Sequence, residues 1–227
     1  METFVNIIGW VMAILTVVIP LPQMIKVCFR KDSEGINKIT SCIYCFGVLC
    51  YTAFGSFTLG STGEKLIYIS VSNLLCGILY TVMVFFVFYY DKNISRKNLI
   101  LATLFLLIVF AANIICFTIG IVRKDWYISN TVALVIIGAS TGAFTTGAYI
   151  PQLLKTIRYK RVGSLSMTMI MLLITINVAY FIYYILLFNN SMIVPMVWTS
   201  LATCLYVILL SVCVRFRITN KKQAQTN

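Results

Sequence analysis

The side chains best suited to covalent or acid–base chemistry are few in this chain and poorly placed for it. The six carboxylates, Glu2, Asp32, Glu34, Glu64, Asp91 and Asp125, all fall in short polar stretches between long uncharged runs, and histidine is absent. Cys28 stands near the end of one such run, and Cys42, Cys45, Cys50, Cys76, Cys116, Cys204 and Cys213 lie within runs. Cys42-x-x-Cys45 has the spacing of half a metal site, but no second pair or histidine completes it. These thiols read as small apolar packing groups. No nucleophile–base pair, metal cluster or phosphate-cradling glycine loop can be assembled, so neither an enzyme nor a cofactor is expected. What remains are neutral hydrogen-bonding groups set in apolar sequence: Asn73, Asn113, Asn177, Thr199, Trp198, Tyr51 and Tyr180. An amide offers both donors and acceptors, and a tyrosine offers a flat face with a polar tip. Their chemistry is reversible recognition of an uncharged partner.

The elements that would carry these groups follow from hydropathy. Of the 227 residues, 60% are apolar and 11% charged, and the mean hydropathy is +0.95. A bilayer core needs about 20 apolar residues per helix. Uncharged runs of that length or more occupy Thr3–Ile25, Ile39–Gly63, Leu66–Tyr90, Asn98–Val122, Trp126–Leu154 and Val162–Val214. The last is long enough for two spans, and Asn189-Asn190-Ser191 divides it, because consecutive amides are costly in hydrocarbon. Seven transmembrane helices are predicted, in an all-α membrane protein with little chain left for a soluble domain. Glu2 stands where a cleavable leader would carry basic residues, so the first run is expected to be a permanent span.

The net charge of +12 does not imply nucleic acid, because the cations sort by side of the bilayer. Fifteen of the eighteen lysines and arginines fall in the stretches around Lys26–Lys38, Lys92–Lys97, Lys155–Arg161 and Arg215–Lys222. Only Lys65, Arg123 and Lys124 fall on the opposite side. The positive-inside rule then puts the N-terminus outside and the C-terminus in the cytoplasm, which requires an odd number of spans. The expected partners are the lipid bilayer and a small solute, with the plasma membrane as the expected location.

The chain repeats itself. Shifted by 129 residues, Ile7-Ile8-Gly9 falls on Ile136-Ile137-Gly138, Thr16 on Thr145, Pro22-Gln23 on Pro151-Gln152, Lys26 on Lys155, Ile36-Asn37 on Leu165-Ser166 and Tyr51 on Tyr180. Shifted by 126, Leu79-Tyr80 falls on Leu205-Tyr206 and Asn73 on Thr199. This predicts a 3+1+3 organisation: residues 1–90 as one three-helix unit, 91–125 as a linker helix with its flanking loops, 126–214 as the second unit, and 215–227 as a basic tail. Three spans invert the chain, so one extra helix is needed for the second unit to enter from the same side. The units are then parallel repeats about an axis along the membrane normal. Two units suffice for one path, and assembly of several copies stays open.

Pro22-Gln23 and Pro151-Gln152 stand near the same end of the first span of each unit. Proline removes a backbone donor and clashes with the preceding turn, and in lipid the freed carbonyl must find another partner. The pairs suit either a hinge or a static kink.

With this duplicated motif, the basic loops that follow it and the 3+1+3 pattern, the whole chain resembles the PQ-loop family of membrane transporters. That group includes the SWEET and SemiSWEET sugar transporters and the cystinosin-like exporters. The resemblance implies a solute path between the two units, alternately open to either side. Tyr51-x-x-Phe54-Gly55 and Tyr180-x-x-Tyr183 resemble the Trp-x-x-Tyr-Gly element of SWEET-like proteins, with tyrosine for tryptophan. Ser72-Asn73 resembles their mid-span asparagine, while the second copy departs from it, with Thr199 beside Trp198. The resemblance makes Asn73, Tyr51, Tyr180, Thr199, Trp198 and Asn177 substrate-binding candidates, and Pro22, Gln23, Pro151 and Gln152 hinge or gating candidates.

An intramembrane polar residue either faces the bundle interior or forms an interhelical hydrogen bond worth about 0.6 kcal/mol. Both readings stand for Asn73, and the hydrogen bond is the plainer one for Asn177 and Asn113. Mid-span carboxylates, lysines, arginines and histidines are lacking, whereas proton coupling normally needs a titratable group on the path. The expectation is therefore passive, alternating-access uniport of a small neutral solute, a sugar first. An amino-acid or other metabolite carrier, and a non-transporting receptor, are the alternatives. Asp32 and Glu34, just past the first motif, read as solvated loop charges or as a gate.

Overall fold

The computed structural model describes residues 2–31, 33, 36–60, 63–159, 166–188 and 190–226. Asp32, Glu34, Lys160, Arg161, Leu165 and Asn189, used above, lie outside them, and so does the side chain of Gln152. The helices are α1 (Glu2–Val18), α2 (Leu21–Arg30), α3 (Lys38–Phe57), α4 (Ile67–Tyr89), α5 (Arg96–Val122), α6 (Thr131–Gly147), α7 (Tyr149–Tyr159), α8 (Met167–Leu186) and α9 (Ile193–Thr226), with a 3-10 turn at Asn190–Met192 before the last. Taken together, α1 with α2 and α6 with α7 each make one span, so among the described residues seven helices are long and apolar enough to cross a membrane. The chain is an all-α, multi-pass integral membrane protein.

The boundaries follow the repeat. A shift of 129 carries α1 onto α6 and α3 onto α8 with both ends in register, and a shift of 126 carries the start of α4 onto the start of α9. Local chemistry sets the starts. Asn37 accepts from the Ile39 and Thr40 amides at 3.0 and 3.2 Å, and its counterpart Ser166 accepts from Met169 at 3.3 Å. Each satisfies donors that a helix N-terminus leaves open.

The two prolines set the stops. A proline cannot donate to the carbonyl four residues back, and its ring crowds that carbonyl. The residues four before Pro22 and Pro151 are Val18 and Gly147, where α1 and α6 end. The break therefore falls a turn ahead of each motif. In the first unit it covers Ile19 and Pro20, and Pro22 occupies the first turn of α2, where its missing N–H costs little. In the second it is the single residue Ala148, which keeps helical angles of −55° and −33°.

Within each unit the third span sits between the other two: α4 packs on α1 and α3, and α9 packs on α6 and α8. The units meet through α1 against α8 and α3 against α6, as a pseudo-twofold axis requires. The linker α5 lies against α3 and α4. Leu107 and Ile108 on it are 58% and 68% exposed, a face for lipid. Lys65 donates to the carbonyls of Gly120 and Arg123 at 2.6 and 2.8 Å and so caps the C-terminus of α5. Burial lowers its pKa from the ordinary lysine range, and Asp125 opposes that shift. The cation read from sequence as a topology marker thus also ties the linker to the first unit.

Candidate functional site

The breaks and the pseudo-twofold axis leave a cavity of about 40 Å³ between the units. It is lined by Thr16 of α1, Ile19 in the first break, Tyr44, Val48 and Tyr51 of α3, Asn73 of α4, Thr145 of α6, Leu173, Ile176, Asn177 and Tyr180 of α8, and Tyr206 of α9. Four pairs in this lining are related by the 129-residue shift: Thr16 with Thr145, Tyr44 with Leu173, Val48 with Asn177, and Tyr51 with Tyr180. The lining holds hydroxyls and amides and, among the described residues, carries no carboxylate, lysine or arginine.

One side of the cavity is a hydrogen-bonded chain. The Asn73 amide donates to the Tyr180 hydroxyl at 3.0 Å and to the Ile69 carbonyl at 2.9 Å. The Tyr180 hydroxyl lies 3.3 Å from Thr16 Oγ1, which itself donates to the Met12 carbonyl at 2.8 Å. With Thr16 and Asn73 each donating to a carbonyl of its own helix, the tyrosine proton is free to point to Thr16 Oγ1. This network joins α1 and α4 of the first unit to α8 of the second. Across the cavity, Tyr51 sits with its ring centroid 5.9 Å from that of Tyr180, and its hydroxyl lies beside Thr141 and Thr145. Tyr51 and Tyr180 both line the cavity. Asn177 donates to the Leu173 carbonyl at 2.6 Å and is only partly buried.

Tyrosines close the cavity toward the motifs. Tyr44 lies 4.6 Å from Tyr80 and 5.7 Å from Tyr149, and Tyr149 lies 5.1 Å from Tyr206, measured between ring centroids. Tyr149 is the first residue after the second break, so movement of α7 moves this layer. Toward the other end, Tyr68 contacts Tyr183 at 6.4 Å and Trp10 at 5.3 Å, and its hydroxyl donates to Asn6 Oδ1 at 3.0 Å.

Of the residues singled out by sequence, Asn73, Tyr51, Tyr180 and Asn177 come together here. Thr199 is buried but lies outside the lining and donates to the Pro195 carbonyl at 2.6 Å. Trp198 also lies outside it and presses on Gly142. Asn113 is buried in the linker with its amide against Gly77. Gln23 is buried, and its Oε1 accepts from the Ser166 amide at 3.3 Å, so the first motif reaches the N-terminus of α8 in the other unit. Thr16, Thr145, Tyr44 and Tyr206 were not singled out as site residues. The matched threonines, one turn ahead of each break, were the available signal.

Comparison with known proteins places this geometry. The profile of the PQ loop repeat matches twice, over residues 4–63 and 133–193. A search of curated proteins gives no match. A eukaryotic SWEET transporter, solved at 3.7 Å resolution, superimposes with a TM-score of 0.63 at 12% identity, over 94% of this chain and 99% of its own. That likeness establishes a shared fold. With two profile matches spanning over half its length, each running from the first span of a unit through its break to the end of the second, the chain belongs to the PQ-loop repeat family.

Proposed function

We propose that this protein is a facilitative transporter that passes a small neutral solute, a sugar first and a neutral amino acid second, between its two three-helix units. The observation that carries the reading is the central cavity, which offers hydroxyls and amides from both units and, among the described residues, no charged side chain. Such a lining recognises an uncharged hydrogen-bonding solute, and it gives no acidic or basic relay for coupling to protons. Asn73, Tyr51, Tyr180 and Asn177 are the proposed contacts. Thr199 and Trp198 shape the second unit behind the lining.

Alternating access needs movement. A water needs about 10–15 Å³ of such space, so a cavity of about 40 Å³ has room for a few waters and not for a sugar ring. The proposed motion is rocking of one unit against the other about the breaks ahead of Pro22 and Pro151, with Gln23 and Gln152 gating the same end. The charge asymmetry supports an outside N-terminus, a cytoplasmic C-terminus and motifs on the cytoplasmic side of a plasma membrane. Residues 1–90 and 126–214 are the proposed moving units, 91–125 the linker and 215–227 the tail.

Counterflow tests this. Purified protein in liposomes is loaded with one of a panel of unlabelled sugars or neutral amino acids, and uptake of the labelled solute is followed with no imposed gradient. The expected result is transient accumulation of one solute, unaffected by a protonophore and reduced in Asn73→Ala at subsaturating solute. Accumulation abolished by the protonophore would overturn uncoupled uniport, and saturable binding without counterflow would replace the carrier with a receptor.

A further inference from the structure

Beyond the tyrosine layer, on the motif side, lies a second chamber of about 30 Å³. It is walled by Gln23 of α2, Thr40 of α3 and Tyr149 of α7, with Met83 and Met169 among the apolar neighbours. These three polar residues are 3%, 6% and 3% exposed, so each is more than nine-tenths buried. Gln23 Nε2 and Thr40 Oγ1 have no hydrogen-bond partner among the described residues, and the Tyr149 hydroxyl, beside that of Tyr80, makes no well-formed bond there.

Polar atoms left unpaired around one cavity are not a stable dry arrangement. A buried donor or acceptor left unmade carries its full desolvation cost, whereas a water needs two to four polar partners and about 10–15 Å³. The chamber has room for about two waters. The amide supplies donors, and the hydroxyls supply either sense. We propose that this chamber is a resident-water site, in which ordered water bridges α2, the helix after the first break, α3, and α7, the helix after the second. The Gln23 Oε1 bond to Ser166 leaves Nε2 as the amide's free donor and thereby orients it toward water. Water in this place joins the post-break helices of the two units and holds the motif-side end together. The site itself does not depend on what the protein carries. Its role in holding a gate rests on the transport reading.

Radiolytic hydroxyl-radical footprinting of the purified protein, read by mass spectrometry, tests the site with water itself as the probe. Met83 and Met169 line the chamber and are 1% and 3% exposed, while Met12 and Met192 are 0% exposed and line neither cavity. Resident water predicts oxidation of Met83 and Met169 several-fold faster than that of Met12 and Met192. Equal rates would show a dry chamber and overturn the proposal. In Thr40→Val/Tyr149→Phe, labelling of Met83 and Met169 should fall toward the Met12 rate. Labelling that persists or rises there would trace to bulk water entering an opened end, which also overturns it. Thr40→Val alone adds a readout of sign. A lowered thermal midpoint fits a hydroxyl that was holding water, and a raised one fits an unpaired hydroxyl in a dry wall. None of these readings uses transport, so failed counterflow and a dry chamber are separate results.

Discussion

The two units share one skeleton and differ in what they place on it. At the position where α3 carries Gly55, α8 carries Tyr184. A Cβ on Gly55 would stand 2.5 Å from the Ser70 amide nitrogen, so α3 and α4 pack backbone to backbone there, beside a 2.5 Å hydroxyl pair between Ser56 and Ser70. In the second unit the buried Tyr184 ring occupies that level instead. At the motif-side end the first unit is clamped by an ion pair between Lys38 of α3 and Asp91 just past α4. Their counterparts are Met167 and Arg217, which meet through a guanidinium-to-sulfur contact of 3.5 Å. The cavity follows the same division: Asn73 faces it where Thr199 does not, and Asn177 faces it where Val48 does. Duplicated sequence thus conserves helix ends and the positions of the breaks, while the polar groups that face the cavity are distributed unequally. The first unit is the tighter body, and its two-residue break at Ile19 and Pro20 contrasts with the helical Ala148 of the second.

The comparison breaks most sharply at Gly55. In Gly55→Ala the added methyl meets backbone that cannot step aside, and the expected cost lies at the upper end of the ~1–3 kcal/mol of overpacking or beyond it. Thermal unfolding in detergent and the yield of folded protein measure it. Next in size is the unequal pair Asn73 and Thr199. Losing one net hydrogen bond to solute costs about 1 kcal/mol, so Asn73→Ala should weaken apparent solute affinity by about fivefold or more, whereas Thr199→Val should leave it nearly unchanged. Counterflow across solute concentrations separates them, and equal losses would show that the second unit's polar position matters as much as the first's.

The clamp offers a way to make the units more alike. Met167→Glu places a carboxylate before Arg217 and recreates the first unit's ion pair. A partly exposed pair contributes up to about 1 kcal/mol, so exchange should slow by about threefold and the slowing should fade at high salt. Asp91→Asn should act in the opposite sense on the first unit. The smallest effect is expected at Tyr184, whose buried hydroxyl has no hydrogen-bond partner among the described residues. Tyr184→Phe removes an unsatisfied group and should be neutral or stabilising by up to about 1 kcal/mol in the same unfolding measurement. A marked loss would mean that the hydroxyl is hydrogen-bonded to water.

Much of the fold was legible in the chain. Seven spans follow from runs of uncharged residues, because hydrocarbon excludes charge whatever the tertiary arrangement. The 129-residue repeat, read from matches such as Thr16 with Thr145, carries the ends of α1 and α3 onto those of α6 and α8. The motif prolines marked both breaks to within a turn, since the clash of proline with the carbonyl four residues back is local chemistry. Asn73, Tyr51, Tyr180 and Asn177 were also nameable, as polar groups in apolar spans, the two tyrosines at repeated positions. What only the tertiary structure decided is which of the equivalent groups face the axis. Thr199 matches Asn73 in register yet turns to the Pro195 carbonyl, and Trp198 fills the space over Gly142. Helix rotation is settled by the volumes of neighbours on other helices, and those do not appear in any local window of sequence. The same holds for Gln23, whose bond to Ser166 spans 143 residues, and for the tyrosine layer, whose four rings come from α3, α4, α7 and α9. Hydropathy and proline placement are properties of one helix, whereas a cavity is a property of several, and so the spans were written in the sequence and the site was settled by packing.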